Sequence, residues 1–159
     1  MKYRSYLCSA LLISALSSYG QTDREQKNNR AIFPKGTIAP ESNFTGKVWS
    51  NPIMPNDTTY NLIIGNVTFE PGARSNWHSH NSGQILLVTD GIGYYQERGK
   101  PIEVMKKGDV IKCRPGIEHW HGASPTRGCT HIAIVPNTEK GIVKWLQPVT
   151  DKEYHARKQ

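Results

Sequence analysis

Four of the six histidines fall into two pairs of the same spacing, His78-Ser-His80 and His119-Trp-His121. Side chains alternate between the two faces of an extended strand, so each pair presents both imidazoles on one side. Asn76 shares the face of His78 and His80, while Trp77 and Ser79 point the other way. Trp120 likewise lies opposite His119 and His121. Two imidazoles this close can reach a single cation, and histidine is the commonest metal ligand. Gln84 then opens an apolar run, Gln84-Ile-Leu-Leu-Val88, whose alternation puts Gln84, Leu86 and Val88 on a common face. If that strand pairs back on the first histidine strand, the Gln84 carbonyl oxygen joins the two rings. One such pair alone is as easily two solvated histidines. Two pairs, each delivered by a turn into a strand, predict a metal site.

The turns and strands that would position these residues are legible around them. Pro71-Gly72 turns the chain into the first histidine strand, and Gly108-Asp109 and Pro115-Gly116 bracket a short apolar strand, Val110 to Cys113. Phe44 to Trp49 reads as a first strand, Asn51 to Asp57 as a proline-flanked loop, and Tyr60 to Glu70 as a longer strand. Ile92 to Glu97 and Ile102 to Met105 flank Arg98-Gly-Lys-Pro101 as a hairpin. Thr130 to Val135 alternates, with His131, Ala133 and Val135 on one face, and Ile142 to Leu146 reads as a last strand. Thr150-Asp-Lys-Glu153 has the form of a capping box opening a short terminal helix. Many short strands with turn signals between them predict an all-β barrel or jelly roll.

The spacing Gly72-x5-His78-x-His80-x3-Gln84-x6-Gly91 resembles the first cupin motif, and Gly108 through His119 resembles the second. The resemblance implies a small jelly-roll-like β-barrel with a metal held by His78, His80, Gln84 and His119. Gln84 replaces the usual Glu, Arg114 a Pro, and Ala123 an Asn. The Gln form, with VTFEPGAR ahead of it and EHWHGASP and THIAI after it, is similar to the manganese-dependent cupin hydroxynitrile lyases. That likeness runs from about Phe44 to Tyr154. It implies a divalent metal, Mn2+ with Fe2+ or Zn2+ as substitutes, and a functional histidine at His131. The expected reaction is cleavage and synthesis of cyanohydrins, mandelonitrile giving benzaldehyde and hydrogen cyanide.

Ligand type by itself does not choose the metal, because imidazole suits zinc, iron, copper and manganese alike. Three imidazoles and an amide are all uncharged, so a bound cation keeps its full charge and acts as a strong Lewis acid. The same neutrality disfavours a more highly charged, oxidised metal, which leans away from dioxygen chemistry. A general base must stand near the metal without ligating it, and His131 is the candidate. The competing use of His131 is a core histidine bonded to a backbone carbonyl. His121 would hold water or orient a ligand. Val67, Phe69, Trp120 and Ile132 either wall the pocket or pack the core, and His155 belongs to the surface. Two other functions fit the same pattern: a metal dioxygenase, and a non-catalytic cupin that binds a small molecule.

Residues 1–20 read as a signal peptide, with a basic start at Lys2 and Arg4, an apolar run from Leu7 to Leu16, and small residues at Ser18 and Gly20. The run is too short for a permanent membrane span. Export to the periplasm or the medium is therefore expected, with residues 21–43 as a polar, flexible segment and 44–159 as the cupin domain. The net charge of +7 becomes +5 without Lys2 and Arg4. No basic run interleaved with aromatics accompanies it, so nucleic acid is not an expected partner. A small-molecule substrate is, with a homo-oligomer, dimer or tetramer, as the expected assembly. Cys113 and Cys129 remain after cleavage, either as a disulfide or as free buried thiols.

Overall fold

The computed structural model describes residues 31–56 and 58–157. The expected signal peptide, and the expected flexible segment up to residue 30, lie outside the described residues. Among the described residues twelve antiparallel strands form one continuous curled sheet. In chain order they are β1 (Thr37–Ile38), β2 (Phe44–Thr45), β3 (Val48–Met54), β4 (Leu62–Phe69), β5 (Arg74–Ser75) and β6 (His78–Ser79). There follow β7 (Gln84–Glu97), β8 (Glu103–Lys106), β9 (Val110–Cys113), β10 (His119–Ala123), β11 (Cys129–Pro136) and β12 (Lys144–Trp145). Eight of them run in the order β1-β3-β4-β11-β7-β10-β5-β2, with β6, β8, β9 and β12 branching from that path. Among the described residues one α-helix, α1 (Asp151–Tyr154), closes the series, after a 3-10 turn at Thr138–Lys140. The all-β expectation with a short terminal helix is met, and Thr150 and Glu153 form the capping box.

The long strand β7 belongs to both halves of the curl. Its first part, Gln84 to Leu87, pairs with β9, and Ile85 to Val88 with β11; its second part, from Gly93 to Glu97, pairs with β10. The changeover needs a bend, and two features supply it. The register against β11 slips between Thr130 and His131, so that Asp90 and Val88 face successive residues and Thr89 is the extra one. At Gly91 φ is +78°, and a Cβ there would lie 2.0 Å from the Gly128 carbonyl oxygen, so only glycine fits. The slip also changes which side chains face inward. Leu86 and Val88 pack in the inner core before it, and Tyr95 does so after it.

Several elements differ from the sequence reading. The strand expected over Phe44 to Trp49 is split, because Gly46 at φ +78° breaks it between β2 and β3. The loop expected from Asn51 is instead the second half of β3, where Pro52, lacking an N–H, sits beside a register shift that does not require one. The strand expected over Ile142 to Leu146 shrinks to Lys144–Trp145. Ordered structure reaches back before residue 44, since Thr37–Ile38 pairs with β3 and Ala39 is buried.

Two buried clusters stabilise the unit. The inner one, between the curled halves, includes Val48, Phe69, Leu86, Val88, Tyr95 and Met105. The outer one holds Trp77, Tyr94, Trp120, Val149 and Tyr154, where the C-terminal segment covers β10 and β7. Arg74 ties that segment down: its guanidinium donates to the Val149 carbonyl at 3.0 Å and to Asp151 at 2.6 Å, and lies over the Tyr154 ring. The Tyr154 hydroxyl donates to the Ala123 carbonyl at 2.7 Å.

Candidate metal centre

The histidine strand and the Gln84 strand do not pair with each other, contrary to the expected hairpin. Strand β10 lies between them, with His119 opposite His78 of β6 on one side and opposite Glu97 of β7 on the other. Gln84 starts β7 straight after the turn at Gly83, whose N–H donates to the His80 carbonyl at 3.1 Å. Convergence of the first and second histidine pairs is therefore a product of the second motif's strand.

Within this frame His78, His80 and His119 are all buried, and their ligand nitrogens lie within 4.8 Å of one another. Each ring spends its Nδ1–H on a backbone carbonyl. His78 donates to Asn76 at 2.9 Å, His119 to Ile117 at 2.9 Å, and His80 to Ile142 at 2.5 Å. Those bonds fix the tautomer, so the Nε2 lone pairs of all three point toward a common centre. His80 Nε2 has no hydrogen-bond partner at all. A buried nitrogen lone pair left without a partner costs stability unless something else occupies it. Burial, the largest cause in each case, lowers the pKa of all three rings, His78 well below the ordinary range and His119 to about 4. They are uncharged at neutral pH, the state a metal ligand requires. Gln84 Oε1 stands 3.3 Å from His119 Nε2, at the edge of the same centre. The residues present fit a divalent cation.

The other two buried histidines are arranged differently. His131 Nε2 and His121 Nδ1 lie 3.1 Å apart, so the two rings share one proton between them. Burial again dominates, lowering His131 to about 4 and His121 well below its ordinary value, with the neighbouring histidines adding to the effect on His121. His121 stands next to His78, ring centroids 5.1 Å apart, and Phe69 packs edge-on against it. His131 is fully buried behind it and its Nδ1 has no partner, so the backbone-carbonyl bond that would make it an ordinary core histidine is missing at that atom.

A cavity of about 310 Å³ opens onto the centre. His78, His80, Gln84 and His121 form its polar end, and Phe44, Val67, Ala133, Val135, Ile142 and Trp145 are among its apolar walls. Of the wall candidates, Val67 does line the cavity. Phe69 packs in the inner core, Trp120 belongs to the outer cluster, and Ile132 lies on the opposite face of β11 from His131. Trp145 and Cys113 were not legible as site residues. Trp145 is in register with His78 and packs against its ring at a tilt, centroids 4.9 Å apart, but β12 is too short to have a period. Cys113 is free, as is Cys129, and its Sγ lies 3.8 Å from Gln84 Oε1. Burial pushes both thiols up to about 12.

The curled antiparallel sheet with a histidine-lined interior defines the class: this chain belongs to the cupin family, and residues 65–135 match the cupin domain model. Among particular relatives, an (R)-mandelonitrile lyase of Granulicella tundricola is 43% identical over 115 residues, spanning 72% of this chain and 88% of that protein. A cupin-like protein of Thermotoga maritima superposes with a TM-score of 0.77 at 45% identity, over 79% of this chain and 95% of that one. A DMSP lyase of Ruegeria pomeroyi, at 13% identity and a TM-score of 0.56 over 76% of this chain and 62% of that one, shares the fold alone. The homologue named as a lyase places the chain in an enzyme-bearing branch of a family that also has non-enzymatic members.

Proposed function

We propose that this cupin is a metal-dependent lyase that splits a cyanohydrin such as mandelonitrile into an aldehyde and hydrogen cyanide and runs the reverse addition. The observation that carries the reading is an uncharged histidine pair, His121 with His131, set beside a histidine triad able to hold a metal on one apolar cavity. The mandelonitrile lyase relative supports the choice of reaction. In this reading His78, His80 and His119 would hold the cation through Nε2 and Gln84 through Oε1, and the metal would be Mn2+, with Fe2+ or Zn2+ as substitutes. Bound there, the cation supplies a Lewis acid whose charge no ligand offsets.

The chain's own residues do the rest. The apolar wall takes the hydrocarbon part of the substrate and excludes water, which leaves the hydroxyl and nitrile facing the histidines. His121, on the cavity wall, accepts the hydroxyl proton, and His131 Nε2 behind it shares the added charge across their 3.1 Å contact. The bond from the carbinol carbon to the nitrile breaks, its electron pair leaves with cyanide, and the carbonyl forms. The histidine pair then returns the proton to cyanide. His131 thus serves as the proton store of a base whose exposed end is His121. Export with a mature terminus near Gln21 and a homo-oligomeric state belong to the same proposal and rest on the sequence alone. Intact-mass measurement of envelope protein and light scattering would check them.

The test is benzaldehyde plus cyanide with Mn2+-loaded protein, read by chiral chromatography, with oxygen consumption followed in parallel. One enantiomer of mandelonitrile in excess, with no oxygen uptake, is the expected result. Oxygen consumption without cyanide chemistry would make the protein a metal dioxygenase. Tight anion binding without turnover would make it a binding protein.

A further inference from the structure

A carboxylate ligand presents the same oxygen after a half-turn, but the amide of Gln84 does not. One end of the amide is an acceptor and the other a double donor, and only the oxygen can hold a cation. Something must therefore choose the end. Gln84 and Cys113 are paired directly across β7 and β9. The Cys113 thiol donates to Gln84 Oε1 at 3.8 Å, in a buried setting. The amide oxygen has two lone pairs, so one can take the thiol proton while the other faces the histidine centre.

Tyr95 and Cys113 both pack in the inner core, and the Tyr95 hydroxyl donates to Glu97 Oε1 at 3.3 Å. Glu97 is anchored by Arg114 at 2.8 Å and Lys100 at 2.6 Å. The Tyr95 ring packs against His119 with centroids 5.6 Å apart, so its hydroxyl cannot swing away without disturbing a histidine of the triad. The one proton of the Tyr95 hydroxyl goes to the Glu97 carboxylate, and the single S–H of Cys113 goes to Gln84 Oε1.

We propose that Cys113 is a positioning residue that locks the Gln84 amide with Oε1 toward the metal and so sets the affinity of the site. The inference rests on the assignment of Gln84 as a ligand. It gives Gln84, a departure from the common cupin motif, a partner of its own: an amide ligand needs an orienting donor that a carboxylate does not.

The experiment is calorimetric titration of the metal-free, full-length protein with Mn2+, alone and after substitution. Cys113→Ala is expected to weaken binding by about tenfold or more, the usual scale for losing a partner of a ligand. Cys113→Ser, which keeps a donor, should recover most of that loss. In a Gln84→Glu background Cys113→Ala should change nothing, because a carboxylate has no wrong end. Equal losses in both backgrounds would reduce Cys113 to packing and overturn the proposal, as would unchanged affinity in Cys113→Ala. Unchanged affinity in Gln84→Ala would remove Gln84 from the ligand set, and the proposal would fall with it. If Gln84→Ala loses Mn2+ while Cys113→Ala does not, the ligand stands and only the orienting donor is refuted.

Discussion

The five buried histidines divide into two groups that differ in what their second nitrogen does. In His78, His80 and His119 each Nδ1–H is committed to a backbone carbonyl, which leaves three Nε2 atoms convergent. In His121 and His131 the commitment is mutual, Nδ1 to Nε2, with His131 Nδ1 unpartnered. Residue type and burial are the same on both sides of this division. The backbone bonds hold the first group in one tautomer, which suits a ligand; the shared proton lets the second group change tautomer, which suits proton transfer. A buried histidine is thus given its use by its hydrogen-bond partner.

The sharpest way to break this comparison is to remove ligands. The His78→Ala, His80→Ala double variant should retain essentially no metal on elemental analysis after loading and dialysis, because it removes two of the four donors assigned to the site. Full occupancy would refute the triad as drawn.

Next in size is the other group. His131→Ala should keep its metal while losing about a hundred-fold or more in kcat for cyanohydrin cleavage, with little change in KM, the scale for losing a positioned acid–base group. Parallel measurement of metal content decides the matter. Loss of both metal and rate would move His131 into the first group, and an unchanged rate would make it structural.

A pH dependence of stability is common to both groups. Burial lowers these pKa values in the folded chain, so the unfolded chain binds protons first as pH falls. Stability is then full above the ordinary histidine value and declines as pH drops from about 6.5 toward about 4. For His119 and His131 the slope approaches about 1.4 kcal/mol per pH unit each in that window, and it flattens once the folded rings protonate. Thermal melts of metal-free protein from pH 7 to 4 would show it. A flat Tm across that range would mean the rings are not held uncharged.

Much of this centre was legible in the chain. The repeated His-x-His spacing put His78 with His80 and His119 with His121 on shared faces, because strand alternation is local and needs no partner. The alternation of Thr130 to Val135 likewise placed His131 and Ala133 together on one face of β11. The capping box at Thr150 and the hairpin at Arg98-Gly99 were legible for the same reason, each being complete within a few residues. Elements lacking a period of their own were misread. Proline at position 52 suggested a loop where a bulged strand runs, and the two-residue β12 carried no signal that Trp145 would cover His78.

Sequence alone therefore determined which residues could do chemistry here: four histidines paired by alternation, a glutamine in the place of a carboxylate, and turns to deliver them. Only the tertiary structure decided how they combine. It inserted β10 between the His78 strand and the Gln84 strand, so that His119 completes the triad across strand pairing rather than along the chain. It set His121 between His78 and His131. Through the slip at Thr89 and the bend at Gly91 it changed the inward face of β7, turning Tyr95 into the core, and the pairing of β7 with β9 set Cys113 opposite Gln84. The reason is physical. Alternation is a property of one strand, whereas register, bulges and the order of strands are settled by which pairings bury the most apolar surface and leave the fewest backbone groups unpaired.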